Sequence, residues 1–314
     1  MRHFARKSTR RIALSRSLDF AYIRTIIIQL LISEPLRLFA EFQVNASLGS
    51  RRIRNEMTTA TIITPSRSSK SLADWLTDHW MVLFVGLYGL WVWTPWLAPI
   101  FMHMGWNAAG RTIYSIYSFF CHQLPERSFF LFGKKAMYAL EEIQTVWRNT
   151  DNAAILRQFI GNSTMGWKVA WSDRMVSFYT TIWLFALVWW PFRRKVKQIP
   201  WRGFILFLLP IAIDGGTHFL SDLSGMERGF RENNLWLAVL TNHVFPASFY
   251  AGNALGSFNS WMRLITGPLA SLGIVWIIFP HLFKAQKLNQ ELEKYNYGKV
   301  IEQFKNGNTG STGR

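Results

Sequence analysis

Cysteine occurs once in 314 residues, at Cys121. That excludes an internal disulfide, a CxxC redox pair and a zinc ribbon, and leaves a link to another chain as the one open disulfide chemistry. Acidic residues are scarce: 18 Asp and Glu stand against 35 Lys and Arg, a net charge of +17. The common soluble motifs are missing as well. The sequence has no GxGxxG, Walker loop, HExxH or GxSxG, so dinucleotide, P-loop, zincin and serine-hydrolase chemistry have no support. Internal repeats are not evident.

What is present is apolar. Half of the chain is hydrophobic, with 16 Trp and 25 Phe, the profile of a multi-pass membrane protein more than of a soluble enzyme. A basic chain raises nucleic acid as a partner, but the cations flank apolar runs and form no single stripe. The expected partner is the lipid bilayer, with no nucleic acid.

Four runs read as spanning helices: Trp80 to His103, Val176 to Phe192 (long enough if it begins near Trp171), Phe204 to about Leu223, and Trp261 to Phe283. A span needs roughly 20 apolar residues to cross about 30 Å of hydrocarbon. Thr112 to Phe120 is apolar but too short to cross alone, which predicts a short re-entrant or interfacial helix. The connector "RRKVKQIPWR", Arg193 to Arg202, carries five Lys/Arg in ten residues, so the positive-inside rule makes it cytoplasmic. Both termini then lie inside the cell membrane, and loops at about 104–170 and 224–260 lie outside. The expected fold class is all-α: a polytopic membrane helix bundle over 80–283, with external amphipathic helices. Ala136 to Trp147 has helical spacing of apolar residues. "NTDNAAILRQFIG" reads as a second short helix, capped by Thr150 or Asp151, with Gly161 past its end.

The flanks differ from the bundle. Residues 57–79 form a cytoplasmic lead-in, and 284–314 a cytoplasmic tail whose Gly/Thr-rich end is expected to be disordered. Residues 1–56 carry 11 basic against 4 acidic side chains. Their basic-then-apolar order suits a signal peptide, but the small-residue point near Ala46 lies too far along. The preferred expectation is a start at Met57 with the basic arm a start-site artefact. The remaining residues stay basic, 24 against 14.

This topology gathers chemistry near one face. "FFCHQLPERSFFLFG" packs Cys121, His122, Gln123, Glu126, Arg127 and Ser128 into the loop after the first span. "WSDRMVSFY" puts Asp173 and Arg174 at the outer start of the second, and Arg263 stands at the outer start of the fourth. Asp214, His218 and Asp222 fall at i, i+4 and i+8 along one stripe of the third helix. An ionisable group at the depth of Asp214 faces a bundle interior or a water-filled cavity by default. Against that stand plainer readings. Asp214 with an arginine is a structural pair, Arg174 and Arg263 are interfacial anchors, Arg127 is a loop cation, and Cys121 is a small buried hydrophobe.

Four stretches in this order, "CHQLPERSF", "AWSDRMVSFY", "AIDGGTH" and "NSWMRLITGPL", resemble the bacterial membrane family catalogued as domain of unknown function 2085. The resemblance covers roughly Ser71 to His281. It implies an integral membrane protein and supports these positions as a set without naming a reaction. Two departures matter. The family pattern often has a second cysteine just ahead of the arginine of the second motif, where Ser172 stands here. Its Asp-Gly-x-Thr-Gln motif ends here in His218. Both argue against a dithiol or two-cysteine metal site.

Three functions fit these residues. The first is a polar outer-leaflet pocket for a metal ion or an anionic ligand such as a lipid headgroup. Cys121, His122, Gln123, Glu126, Arg127, Ser128, Arg174 and Arg263 would contact the ligand, and His122, Asp214, His218 and Asp222 would hold a divalent metal. The second is a hydrolase or transferase on a lipid-linked substrate, with Asp214 or His218 as base and the arginines as an anion clamp. The third is a structural or assembly factor without a ligand.

Overall fold

The computed structural model describes residues 72–225 and 229–309. The expectations for 1–56, most of the lead-in and the last five residues of the tail lie outside the described residues. Four helices are long and apolar enough to cross a membrane: Asp74–His103, Asp173–Phe192, Trp201–Asp222 and Phe258–Lys299. The fold is mostly helical, as the all-α expectation has it.

The first of these is assembled from α1 (Leu72–Leu83), a π-helical turn (Phe84–Tyr88) and α2 (Gly89–His103). Pro95 and Pro99 are buried inside α2. Proline has no N–H for the carbonyl four residues before it. The carbonyl that Pro95 leaves is that of Trp91, and the Tyr117 hydroxyl donates to it at 2.6 Å. Tyr117 ends α3 (Asn107–Tyr117), the short helix expected near Thr112. α3 runs back along α2, and Gly110 lets it close in, since a Cβ there would sit 2.7 Å from the Met102 sulfur.

A small sheet follows that the all-α expectation did not contain. β1 (Ser128–Leu131), β2 (Gly161–Asn162) and β3 (Gly166–Ser172) form an antiparallel sheet in the order β1-β3-β2. Ser128 pairs with Ser172, and Phe130 with Lys168. The β2–β3 turn needs positive φ at Gly166, whose Cβ would also lie 2.2 Å from the Leu131 carbonyl oxygen. Between β1 and β2 stand two short helices, α4 (Leu140–Val146) and α5 (Ala153–Leu156). The cap of α5 is Asn152, which accepts from the Ala154 N–H at 2.9 Å, and neither Thr150 nor Asp151 fills that role. Gly161 opens β2, so it does not terminate a helix.

The other three apolar helices are α6 (Asp173–Phe192), α7 (Trp201–Asp222) and α11 (Phe258–Thr309), with α8 (Phe230–Asn233), α9 (Leu235–Leu240) and α10 (Ala247–Tyr250) between the last two. α11 packs against both α6 and α7. Gly267 allows the first contact, because a Cβ there would lie 2.4 Å from Ser177 Oγ. One turn later Ser271 Oγ donates across to the Phe178 carbonyl at 2.6 Å. This is the small-xxx-small device that brings helices close in lipid. The bundle is layered. Met81, Ile182, Ala186, Trp189, Val275 and Phe279 form an apolar core at one end, and polar side chains fill the other. α11 continues far beyond Phe283 and reaches Thr309, inside the stretch expected to be disordered.

Candidate ligand-binding site

α7 is built inside out. Its buried side chains are Asp214, His218 and Ser221, while Leu206, Ile213 and Leu220 are exposed. Apolar outside and polar inside is what a helix surrounded by lipid requires, since hydrocarbon welcomes the first and not the second. The polar stripe meets the starts of α6 and α11, the loop before β1, and α8.

The charges there are paired one by one. Asp214 accepts from Arg174 Nη2 at 2.7 Å and from Arg231 Nη2 at 2.6 Å. Asp173 accepts Arg263 Nε at 2.9 and 2.7 Å, and the Nη atoms of Arg263 go to the Asn253 side chain and carbonyl. Asp222 takes Arg127 in a two-pronged bond of 2.9 and 2.8 Å, tying the loop to the end of α7. Gly215 leaves room for the Arg174 guanidinium, which a Cβ would approach to 3.0 Å. His218 lies in the field of Arg127, Arg174, Arg231 and Arg263 together. Arg127, Arg174, Asp214, His218, Asp222 and Arg263 therefore do come together, as a packed ion-pair network.

The rest of the expected set divides. Cys121, Gln123 and Ser128 are buried, but their polar atoms bond within the loop and its neighbours. Cys121 Sγ accepts the Gln123 and Ser172 N–H groups, both at 3.4 Å, so Ser172 adjoins it. Gln123 adopts a φ of 53° and donates to the Tyr114 carbonyl, and Ser128 donates to that of Leu124. These three shape the loop. His122 is exposed. Glu126 is 1 % exposed with neither carboxylate oxygen hydrogen-bonded, its nearest cation Arg127 Nε at 3.8 Å. Burial raises its pKa against the pull of Arg127, Lys168 and Arg263.

These bonds bear on the metal and base assignments. Among the described residues no group of three or more His, Cys, Asp or Glu side chains is arranged to hold a metal ion. Of the four expected ligands, Asp214 and Asp222 face guanidinium groups, and His122 is exposed within the field of Arg127 and Asp222. Arg231 lies 3.1 Å from His218 Nε2 and can only donate, so Nε2 accepts and the proton sits on Nδ1. The free nitrogen of His218 is thus a donor.

Several participants were not anticipated. Arg231 and Glu232 lie in α8, Asn253 and Asn259 in and beyond the following loop, and Lys168 in β3. Asn234 and Asn259 both donate to the Arg231 carbonyl, at 2.8 and 2.6 Å. Burial pushes Glu232 up to about 7; its hydrogen bond comes from Asn253 Nδ2 at 3.0 Å. Lys168 is fully buried and donates to the Gln123 and Arg157 carbonyls at 2.6 and 2.8 Å, and burial pulls its pKa down to about 7. An Arg followed by Glu at the end of a loop, and asparagines scattered in an uncharged stretch, carry no spacing signal. The lysine inside "GWKVAWS" could have been found as the one charge in an apolar strand.

Four N–H groups in this network are buried without a hydrogen-bond acceptor among the described residues: Arg127 Nε, which has the Glu126 carboxylate at 3.8 Å, and Arg174 Nε, Arg231 Nε and His218 Nδ1. Unpaired buried donors are uncommon and call for an acceptor.

A comparison with known proteins finds an uncharacterized protein of Methanocaldococcus jannaschii, 26% identical over 196 residues, which cover 60% of this chain and 83% of the archaeon's protein. No family model matches the chain. No solved structure matches it.

Proposed function

We propose that the chain is a multi-pass membrane protein whose buried arginine network binds an oxyanion, the phosphate group of a lipid headgroup or a free phosphate. The observation that carries this reading is the set of unpartnered donors. All four are N–H groups on Arg127, Arg174, Arg231 and His218, and a ligand that supplies only acceptors completes them. Arg263 takes no part, because every nitrogen of its guanidinium already has an acceptor. The five Lys/Arg between Arg193 and Arg202 favour a cytoplasmic α6–α7 connector, so the network lies toward the outer face of the cell membrane with both termini inside. Membership of the domain of unknown function 2085 family belongs to the same proposal.

A second reading has its own support. Each arginine in the network faces a carboxylate, which is what a helix-holding role for an assembly factor needs. Thermal unfolding in detergent separates the two. Inorganic phosphate or a short-chain phosphatidic acid raises the midpoint of the unaltered chain if the donors bind it, and Arg174→Gln abolishes the rise. Stabilisation of neither kind, at concentrations up to those that stabilise nonspecifically by salt, leaves the structural reading.

A further inference from the structure

The stretch from Asn233 to Met262 contains no Asp, Glu, Lys or Arg. It lies between α7 and α11, at the end of the bundle where Arg127 bonds Asp222. A water-facing connection of thirty residues without a charge is unusual; the other segment at this end, between β1 and β2, carries Lys134, Lys135, Glu141, Glu142, Arg148, Asp151 and Arg157. The uncharged stretch also turns its large apolar side chains outward. Val239, Leu240 and Val244 are 71, 75 and 72 % exposed, with Leu235, Trp236 and Phe245 about half so. The last turns of α7 likewise expose Phe219, Leu220 and Leu223.

The backbone shows the opposite arrangement. Irregular chain can enter a bilayer only where its polar groups are satisfied from within the protein. Here Asn234 donates to the carbonyls of Arg231 and Tyr250, and Asn259 to those of Arg231 and Gly252. Arg263 takes the Asn253 carbonyl. The Tyr250 hydroxyl accepts the Phe245 N–H and bonds Thr241. Backbone polar groups are held from within and the large apolar side chains point out, with Asn242, His243 and Ser248 exposed among them.

We propose that residues 235–257 form a re-entrant wall immersed in the hydrocarbon of the near leaflet, where acyl chains cover Leu235, Trp236, Val239, Leu240, Val244 and Phe245. The occupant is lipid because the four long apolar helices call for a bilayer, the stretch carries no charge from Asn233 to Met262, and the large side chains it exposes are apolar. Arg231 then enters the network from beneath a lipid-facing wall. The inference rests on the bilayer reading and not on oxyanion binding.

Nitroxide labels at Val239→Cys and Leu240→Cys, in a Cys121→Ser background reconstituted into phosphatidylcholine vesicles, test it. Leu206→Cys in the middle of α7 reports insertion itself, and Lys134→Cys reports water. The wall predicts that labels 239 and 240 collide with oxygen as label 206 does and are shielded from a water-soluble nickel chelate. Chelate collisions matching label 134 overturn it. So does shielding from both quenchers, which means protein and not lipid covers the patch. Shielding lost at label 206 contradicts the bilayer reading instead. Photolabelling of the unaltered chain with a diazirine-bearing phospholipid reads the same surface without substitutions. Adducts within 235–245 support the wall, and adducts confined to the four long helices overturn it.

Discussion

Asp214→Asn removes the anion that faces two guanidinium groups while keeping size and shape. In the folded chain Asp214 is 3 % exposed and receives Arg174 at 2.7 Å and Arg231 at 2.6 Å. The amide retains one acceptor oxygen for one of them and turns an NH2 group toward the other. Removing one partner of a buried ion pair costs about 3–5 kcal/mol, mostly because the remaining charge stays buried without compensation. At roughly 2–4 °C per kcal/mol for a large domain, the unfolding midpoint falls by about 6–20 °C. The double variant Asp214→Asn with Arg231→Gln removes one orphaned cation and regains part of the loss, so the two substitutions are not additive. Differential scanning fluorimetry in a mild detergent, at constant pH and salt, measures both. A midpoint for Asp214→Asn within 2 °C of the unaltered chain refutes the reasoning, since it would mean that water or another group already satisfies both arginines.

Glu232 makes stability fall as pH rises. Its folded pKa is pushed up to about 7 by burial, from 4.5, so between these values the folded chain holds a proton that the unfolded chain has lost. The contribution is complete below 4.5 and gone above 7, and Glu232→Gln flattens the midpoint-versus-pH curve across that window. Gly267→Leu forces α6 and α11 apart at Ser177, and a lowered midpoint with a weakened helix contact is the expected outcome; a neutral result contradicts the close approach. Cysteines at Ser163 and Ser224 in a Cys121→Ser background react with an impermeant maleimide from outside intact cells, and one at Gln198 does not. The reverse pattern inverts the orientation.

The four long helices were legible because lipid imposes a simple rule: about twenty apolar residues with charges at the ends. The inward stripe on α7 was legible for the same reason, as Asp214 and His218 have nowhere else to face. The sheet was not. β3 is a short run whose last residues, Trp171 and Ser172, merge in sequence with the start of α6, and both faces of the strand are buried, so no alternation marks it. The partners of the arginines were harder still. Asp214 is the one acid deep in a span, and Asp173 and Asp222 sit at helix ends, where sequence alone reads a carboxylate as solvated. Only their orientation toward Arg263 and Arg127 shows them to be counter-ions. Arg231 and its asparagine supports come from a loop whose fold no local pattern announces.

Native mass spectrometry with elemental analysis, on chain extracted in mild detergent without chelator, tests the central claim most directly. Binding at the Arg127, Arg174, Arg231 and His218 donors predicts close to one phosphorus-bearing ligand per chain, lost from Arg174→Gln. A chain free of phosphorus, or one whose phosphorus persists unchanged in Arg174→Gln, contradicts it.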